Sequence, residues 1–496
     1  MKLKQTAGVR SAWSVLGCLL LASVFAIPLP AQVLSPSSTP NAGRRVLRAN
    51  SNDPVQRLLN AMNGMIALDI FGTEYEEPLT KIANDFAANR VVETVDGLNE
   101  FVKQRPDFPP APLLMSALLF ASGNTAQTRQ WLERTVTEFP DHPSAYLAFA
   151  RFSTGENRVT DGQVMLEKAE QLIVGGQWSE AELKIFRSEL LDIRIDVSIR
   201  RQDLAKARES LIELRELSPQ NPKVQVRLAQ VEFDLENYDA CLKALRDAAL
   251  MNDGLRLPEI IMSEWFLRKR DLKESEKWML AAAELNPTDA GVQLDYARWL
   301  LQNERISDAR QVVAKAESME GDEYIVGYLK GQMAFSERSY EIAETHFKEI
   351  LELRPNDADA TNMLALCYIE STATEKQSQA LELAAVNQRV YGRSPTALAT
   401  LGWVYFRLNR IKDAERIFQQ IVALNQIEPA AAYFVASLLE KKGDFVGANR
   451  LLTQAVSSTD YFMFRRTAQE LLDSVKAKLP TTNSVEDDES SKKEDP

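Results

Sequence analysis

The chain has 496 residues and a formal net charge of −12, with 70 Asp and Glu residues against 58 Lys and Arg. Its length could hold about three ordinary domains, and its apolar content of 45% is that of a folded protein. An acidic chain without a basic stripe is a poor match for nucleic acid or an anionic membrane surface, so we expect neither as a partner.

The N terminus has the order of a secretory signal, which is a basic region, an apolar stretch and then small residues. Residues 1–10 carry three basic side chains, residues 11–27 are uncharged and apolar, and Pro28-Leu29-Pro30-Ala31 follows. Residues 1–31 are therefore predicted to be a signal peptide, and cleavage places the mature protein in the periplasm or outside the cell. Since 17 apolar residues are at the lower limit for crossing a bilayer, an uncleaved membrane anchor at residues 11–27 is the alternative.

Two further segments precede the main part of the chain. Residues 32–52 are rich in Ser, Pro, Asn and Arg and show no periodicity, which predicts a flexible linker. Residues 53–75 carry apolar side chains at helical spacing, which predicts an amphipathic cap helix. These side chains are Leu58, Leu59, Met62, Met65 and Ile66.

From about Ile82 to Asp460, a small residue recurs with a period of 34 residues. Such a period is typical of an array of helical hairpins, in which each unit buries a core only against its neighbours. The residue four positions further on is mostly large and apolar, so it is expected to fill the gap between adjacent helices. The small residues are Thr94, Thr128, Gly162, Ala207, Cys241, Ser275, Ala309, Ala343, Ala380, Ala414 and Ala448.

One copy of this unit resembles the tetratricopeptide repeat. Leu401, Gly402 and Tyr405 stand in its first helix, and Ala414 and Phe418 stand in its second. The same copy departs from the family pattern at two positions, with Leu for Trp and Gln for Pro. The resemblance implies an all-α fold, an α-α superhelix of about eleven helical hairpins over residues 53–479 with a cap helix at each end.

The 34-residue step is broken twice. Eleven extra residues lie between Gly162 and Ala207, close to three helical turns, and we predict one long helix over roughly Ser179 to Arg201. Three extra residues precede Ala380, and they are predicted to lengthen the turn at residues 371–376.

The C-terminal end of the array is predicted to be a cap. Residues 459–479 carry an apolar face that should cover the last hairpin, since an open end of a repeat array exposes its core. The final residues, 480–496, are acidic and polar and are predicted to be a disordered tail.

The motifs of common catalytic sites are missing from the sequence. Only His142 and His346 occur, about six repeats apart, so no metal site or His-based triad can use both. Neither a Cys-x-x-Cys pair, a phosphate-binding loop nor a Gly-x-Ser-x-Gly motif is present. We therefore expect no enzyme activity, no cofactor and no metal.

The tetratricopeptide-repeat resemblance implies a ligand site on the inner face of the array. In that family, ligands contact the second, fifth, ninth, twelfth and thirteenth residues of each first helix. Carried over to this chain, those positions include several aromatic side chains, which suit peptide anchors. The alternative is that these rings pack against neighbouring hairpins. The residues are Phe233, Tyr328, Gln332, Phe335, Trp403, Phe406, Arg407 and Tyr433.

The sequence therefore leaves two functions open. The favoured one is a non-enzymatic interaction scaffold outside the cytoplasm, which binds peptide segments or helices of other proteins in the groove. The alternative is an α-superhelical cell-wall enzyme or glycan-binding protein.

Overall fold

The structure is a computed structural model that describes most of the array. The described residues are 76–105, 108–392, 394–423, 427–458 and 462–479. The predicted signal peptide or anchor, the linker, the first cap helix and the acidic tail lie outside these ranges.

Within the described ranges the chain contains 23 α-helices and no strand. In chain order they are α1 (Glu76–Ala87), α2 (Val91–Gln104), α3 (Ala111–Ala121), α4 (Thr125–Glu138), α5 (Pro143–Gly155), α6 (Val159–Gly175), α7 (Glu180–Arg200), α8 (Leu204–Leu217), α9 (Pro222–Asp234), α10 (Tyr238–Met251), α11 (Pro258–Arg268), α12 (Leu272–Leu285), α13 (Ala290–Gln302), α14 (Ile306–Glu317), α15 (Glu323–Ser336), α16 (Tyr340–Leu353), α17 (Ala358–Glu370), α18 (Thr374–Tyr391), α19 (Pro395–Arg407), α20 (Ile411–Ala423), α21 (Pro429–Lys441), α22 (Phe445–Ser457) and α23 (Arg465–Ala477).

Consecutive helices pair as hairpins, from α1 with α2 through α21 with α22, which gives eleven hairpins, and α23 follows as a single helix. The all-α fold class and the number of hairpins are confirmed. The chain divides into two compact units at Pro258, the first residue of α11. Unit 1 holds α1 to α10, and unit 2 holds α11 to α23.

The 34-residue period corresponds to one buried position in the second helix of each hairpin. At this position ten of the eleven small residues are at most 1% exposed, and Gly162 is also buried. The large residues four positions later are buried as well, because each fills the space that the small residue leaves. They are Leu211, Leu245, Met279, Val313, Phe347, Phe418 and Leu452, with Ala384 as the small exception.

Two glycines in first helices make room for the largest of these side chains. A Cβ atom added at Gly402 would lie 2.3 Å from a ring carbon of Phe418, and one at Gly331 would lie 2.7 Å from Phe347. Real carbon atoms do not approach so closely, so each glycine is required by the phenylalanine that packs on it. The resemblance had placed Gly402 and Phe418 in the same repeat, and the structure puts them in contact.

We expect Gly402→Ala to lower the free energy of unfolding of unit 2 by about 1–3 kcal/mol, because the new methyl group overpacks Phe418. Gly327→Ala is the matched control: its Cβ would meet Ile350 at 3.5 Å, an ordinary contact, and alanine favours helix more than glycine does. Urea denaturation followed by circular dichroism measures both. Equal stabilities of the two variants would show that the Phe418 contact imposes no requirement for glycine.

The residues that interrupt the 34-residue period lengthen helices. Helices α6 and α7 run for 17 and 21 residues where α4 and α5 have 14 and 13. The predicted long helix is confirmed, and Ser179 and Glu182 form a capping box at its start. The predicted long turn at residues 371–376 is wrong. Helix α18 begins at Thr374 and has 18 residues where α16 has 14, so the additional residues continue the helix.

Most hairpins use the same three-residue turn between their two helices. The middle residue of this turn has a φ near +60° or +80° in nine of the ten hairpins from α1/α2 to α19/α20 and again in the last. The exception is the turn before α18, where no described residue has positive φ. The repeated turn fixes the angle at which each second helix returns.

The C-terminal cap is confirmed where the structure describes it. Helix α23 packs on α22, and Phe462, Phe464, Leu472 and Val475 are at most 7% exposed. Among the described helices, none has the length and apolar character needed to cross a bilayer.

Candidate functional site

The first helices α15, α17, α19 and α21 line one face of unit 2, which we call the unit 2 groove. A cleft of about 140 Å³ lies on this face. Its wall combines polar groups with apolar and aromatic surface, the mixture that fixes and orients a bound side chain. The lining includes Tyr328, Gln332, Asn362, Thr400, Phe434 and Met463.

Two of the predicted contact residues, Tyr328 and Gln332, line this cleft and are half-buried. Both lie on α15, one helical turn apart, so their side chains share a face. The ring of Tyr328 is held between Tyr324, at 5.9 Å, and Phe347, at 5.7 Å. The side chains that bound this part of the cleft are therefore already ordered by packing.

Three predicted residues, Phe335, Trp403 and Tyr433, are buried at 3–6% exposure. The indole of Trp403 stacks on Phe434 at 4.5 Å between ring centres and lies 5.4 Å from Tyr433. For these three residues the structure has the alternative arrangement, in which the rings pack against other rings of unit 2. Burial also raises the pKa of Tyr433 to about 12.

Phe406 and Arg407 lie at the rim of this cluster. Phe406 is half-buried and stacks on Trp403 at 5.3 Å, and Arg407 is exposed with its guanidinium 5.6 Å from the same indole. Arg407 Nη1 donates a hydrogen bond of 2.7 Å to Glu370 Oε1. Burial raises the pKa of the Glu370 carboxyl, and the charge of Arg407 opposes that rise.

Phe233 is separate from the other predicted residues, since it lies on α9 in unit 1. Its side chain is 2% exposed and packs edge-on against Tyr238, 5.5 Å away, at the start of the next helix. The ring thus joins the two helices of one hairpin and does not stand open on a groove.

One part of the unit 2 groove, which the chain itself supplies, was not expected from the sequence. Phe462, Met463 and Phe464, here named the FMF segment, connect α22 to α23 and line the cleft. The sequence had placed Phe462 and Phe464 on the apolar face of a cap. Only the path of the chain after α22 brings them onto the first helices.

A charged cluster on unit 1 was missed as well. Arg151 on α5 donates a 2.9 Å hydrogen bond to Asp192 on α7, and Arg227 on α9 bonds both Asp192 and Asp196. The cluster therefore links three successive first helices. Asp192 and Asp196 occupy the fifth and ninth positions of their repeat, so applying the same position rule to the long helix α7 would have found them.

Glu189 lies beside this cluster and is only 5% exposed, with Arg151 Nη2 3.8 Å from its carboxylate. Burial raises the pKa of Glu189 to about 7; the charge of Arg151 opposes the rise, and Asp192 adds to it. Asp192 itself is stabilised in its charged form by two arginines, which lower its pKa against the effect of burial. Glu189 thus holds its proton more tightly than Asp192 does.

Within the part of the chain that the structure describes, no group of three or more His, Cys, Asp or Glu side chains is placed to hold a metal ion. The unit 2 groove combines hydrogen-bonding groups, aromatic rings and a cleft.

Residues 400–459 match the family model described as Tetratricopeptide repeat. The match begins within α19 and includes α20, α21 and α22, so sequence of this type is recognised in the last two hairpins of unit 2. A comparison with curated proteins gives no match.

Several solved structures are similar to the chain. Yeast Tom70 has 13% identity, with 80% of this chain and 94% of that chain covered and a TM-score of 0.36. A tetratricopeptide repeat protein from Parabacteroides merdae has 13% identity, with 58% and 99% covered and a TM-score of 0.33. The human IFIT1 dimer with PPP-AAAA has 15% identity, with 78% and 86% covered and a TM-score of 0.34.

Proposed function

We propose that this protein is a non-enzymatic scaffold for protein–protein interaction, and that it binds segments of partner proteins in the unit 2 groove. The observation that carries the proposal is the cleft on the first helices, where Gln332, Asn362 and Thr400 stand among aromatic and aliphatic side chains. A peptide can bury an apolar side chain there and still satisfy its backbone groups by hydrogen bonds. The tetratricopeptide-type repeats around the cleft support the same class of function.

The eight residues named from the repeat positions enter this proposal in different ways. Tyr328 and Gln332 border the cleft and can contact a partner directly. Phe406 and Arg407 stand at the rim. The buried rings of Phe335, Trp403 and Tyr433 support the groove from beneath, and Phe233 has no part in it.

We also propose that the scaffold works outside the cytoplasm. The support is the order of residues 1–31, in which a basic region, an apolar stretch and small residues follow one another. The mass of the mature protein from its native host tests this directly. A chain that begins soon after Ala31 supports export and release, and a chain that retains residues 11–27 supports the membrane-anchored alternative.

Binding in the groove is tested by filling the cleft. We expect Gln332→Arg to abolish the co-purification of specific partners, because a long charged side chain enters the space that a partner side chain needs. Gln419→Arg is the matched control, since it makes the same change on the exposed face of α20, a second helix. Quantitative mass spectrometry of proteins retained by the wild type and both variants is the measurement.

Both variants must first show the thermal stability of the wild type. Partners that are lost with Gln332→Arg and kept with Gln419→Arg support the groove. If no protein distinguishes the two variants, the groove is not the binding site. Retention of glycans in place of proteins would favour the glycan-binding alternative.

A further inference from the structure

The FMF segment does more than end the array. The ring of Phe464 lies 5.4 Å from Phe335 on α15, 5.5 Å from Tyr433 and 5.0 Å from Phe434 on α21. Helices α15 and α21 belong to hairpins three repeats apart. A residue that only capped the last hairpin would contact α21 and α22 and would not reach α15. Phe464 therefore sits in the unit 2 groove as a bound side chain would.

The segment occupies the groove only in part. Phe462, Met463 and Phe464 line the cleft together with residues of the first helices, among them Tyr328, Gln332 and Asn362. About 140 Å³ remains open between them. The cleft is partly open to solvent, so the segment leaves part of the groove accessible.

The outer contacts of α23 are polar. Arg338 pairs with Glu470 on α23 at 3.7 Å, and Lys478, directly after α23, pairs with Glu440 at 2.6 Å. The side chains of Arg338 and Glu470 are 64% and 53% exposed, and exposed pairs of this kind contribute little to stability. Arg465, the first residue of α23, also donates from Nη1 to the carbonyl oxygens of Val456 and Ser458, at 2.7 and 2.9 Å. Burial of Phe462 and Phe464 and these two hydrogen bonds together keep the FMF segment in the groove.

The position of the segment at the end of the array makes it the easiest part of the groove to remove. An end helix in a repeat array packs on one neighbouring hairpin only, so it can open without disrupting the hairpins behind it. Opening α23 would expose Trp403, Tyr433 and Phe434, which the segment now helps to cover.

We infer that the unit 2 groove recognises a partner segment with two aromatic side chains two residues apart, and that the FMF segment occupies this site in the free protein until such a partner displaces it. The inference rests on the proposed function and names the chemistry of its partner. The partner's flanking residues should be basic, because Asp359 and Glu428 line the cleft and no basic side chain lines it among the described residues.

The probe is a fluorescent peptide that copies residues 458–468, Ser-Thr-Asp-Tyr-Phe-Met-Phe-Arg-Arg-Thr-Ala. It is titrated into the full chain and into the double variant Phe462→Ala/Phe464→Ala, and its anisotropy is measured. We expect the double variant to bind at least tenfold more tightly than the wild type, since its groove is vacated. A peptide with alanine in place of both phenylalanines should not bind.

Phe101→Ala is the control variant, because Phe101 is buried in unit 1 and its loss destabilises the chain without touching the groove. It should bind the peptide as weakly as the wild type. A folded double variant that shows no gain in binding overturns the inference, as does equal gain in the Phe101→Ala variant, which would indicate general loosening.

Hydrogen exchange on the wild type gives a second test that needs no variant. The amides of α23 should exchange through a local opening that leaves α19 and α21 protected. Exchange of all three helices in one step would show that the FMF segment is permanent core, and the inference would fail. Failure of the proposed function is a separate result: the vacated groove can bind the peptide even if no natural partner depends on Gln332.

Discussion

Trp403→Ala is expected to lower the free energy of unfolding of unit 2 by about 3–5 kcal/mol, the usual cost of removing a large buried ring. The indole is 3% exposed and lies within 5.4 Å of the rings of Phe406, Tyr433 and Phe434. Its removal leaves a cavity between the neighbouring aromatic rings. Urea denaturation of the full chain, with hydrogen exchange to assign the transition to unit 2, provides the measurement.

Phe406→Ala is the natural comparison, because Phe406 stacks on the same indole but is only half-buried. This substitution should lower the free energy of unfolding by clearly less, about 1–2 kcal/mol, since part of the Phe406 ring already contacts water. If instead Trp403→Ala left stability unchanged and only weakened the binding of a partner, the indole would have to be accessible in the free protein, contrary to the packing described above.

A second large effect is expected in unit 1, where Glu189→Gln should change how stability depends on pH. The folded-state pKa of Glu189, about 7, is above its ordinary value of 4.5. Between these values the unfolded chain has lost the proton while the folded chain keeps it, so stability falls as pH rises from about 4.5 to about 7. This contribution amounts to about 3 kcal/mol, and the glutamine variant should lack it.

The two proteins should therefore be close in stability near pH 4.5, and the variant should be the more stable near pH 8. Glu213→Gln on the exposed surface of α8 removes the same charge and should follow the wild type at every pH. Melting temperatures across this range test the expectation. Parallel curves for the wild type and the Glu189→Gln variant would mean that Glu189 is ionised in the folded protein throughout, with Arg151 as its partner.

The repeat period predicted the packing of the array well. A small residue every 34 positions, with a large one four further on, predicted a contact between adjacent helices, and Phe418 on α20 makes it with Gly402 on α19. This worked because a buried position in a repeat faces the same neighbours in every copy, so one local rule applies along the whole chain. The long helix α7 was predicted from its N-terminal cap at Ser179 for a similar reason, because a capping signal depends only on residues that are close in the sequence.

The site was predicted less well, because exposure depends on the path of the whole chain. The repeat positions selected Tyr328 and Gln332, and both line the cleft of unit 2. They could not show that Trp403 and Tyr433 are covered, since Phe464 reaches them from a segment outside the repeats. The lengthened turn before α18 was mispredicted because Thr374 and Glu375 were assigned to a loop, although both continue readily into a helix.

The constant turn between paired helices has a consequence for how this chain tolerates changes of length. Neither of the two insertions changes the length of the three-residue loop between paired helices. Both extend helices instead, α18 by roughly one helical turn and α6 and α7 together by about three. Inserting whole turns preserves which side of a helix faces its neighbours, whereas one or two residues would rotate that side by about 100° or 200°. The array therefore tolerates insertions at the ends of its helices, in steps of one helical turn, but not within the short loops between paired helices.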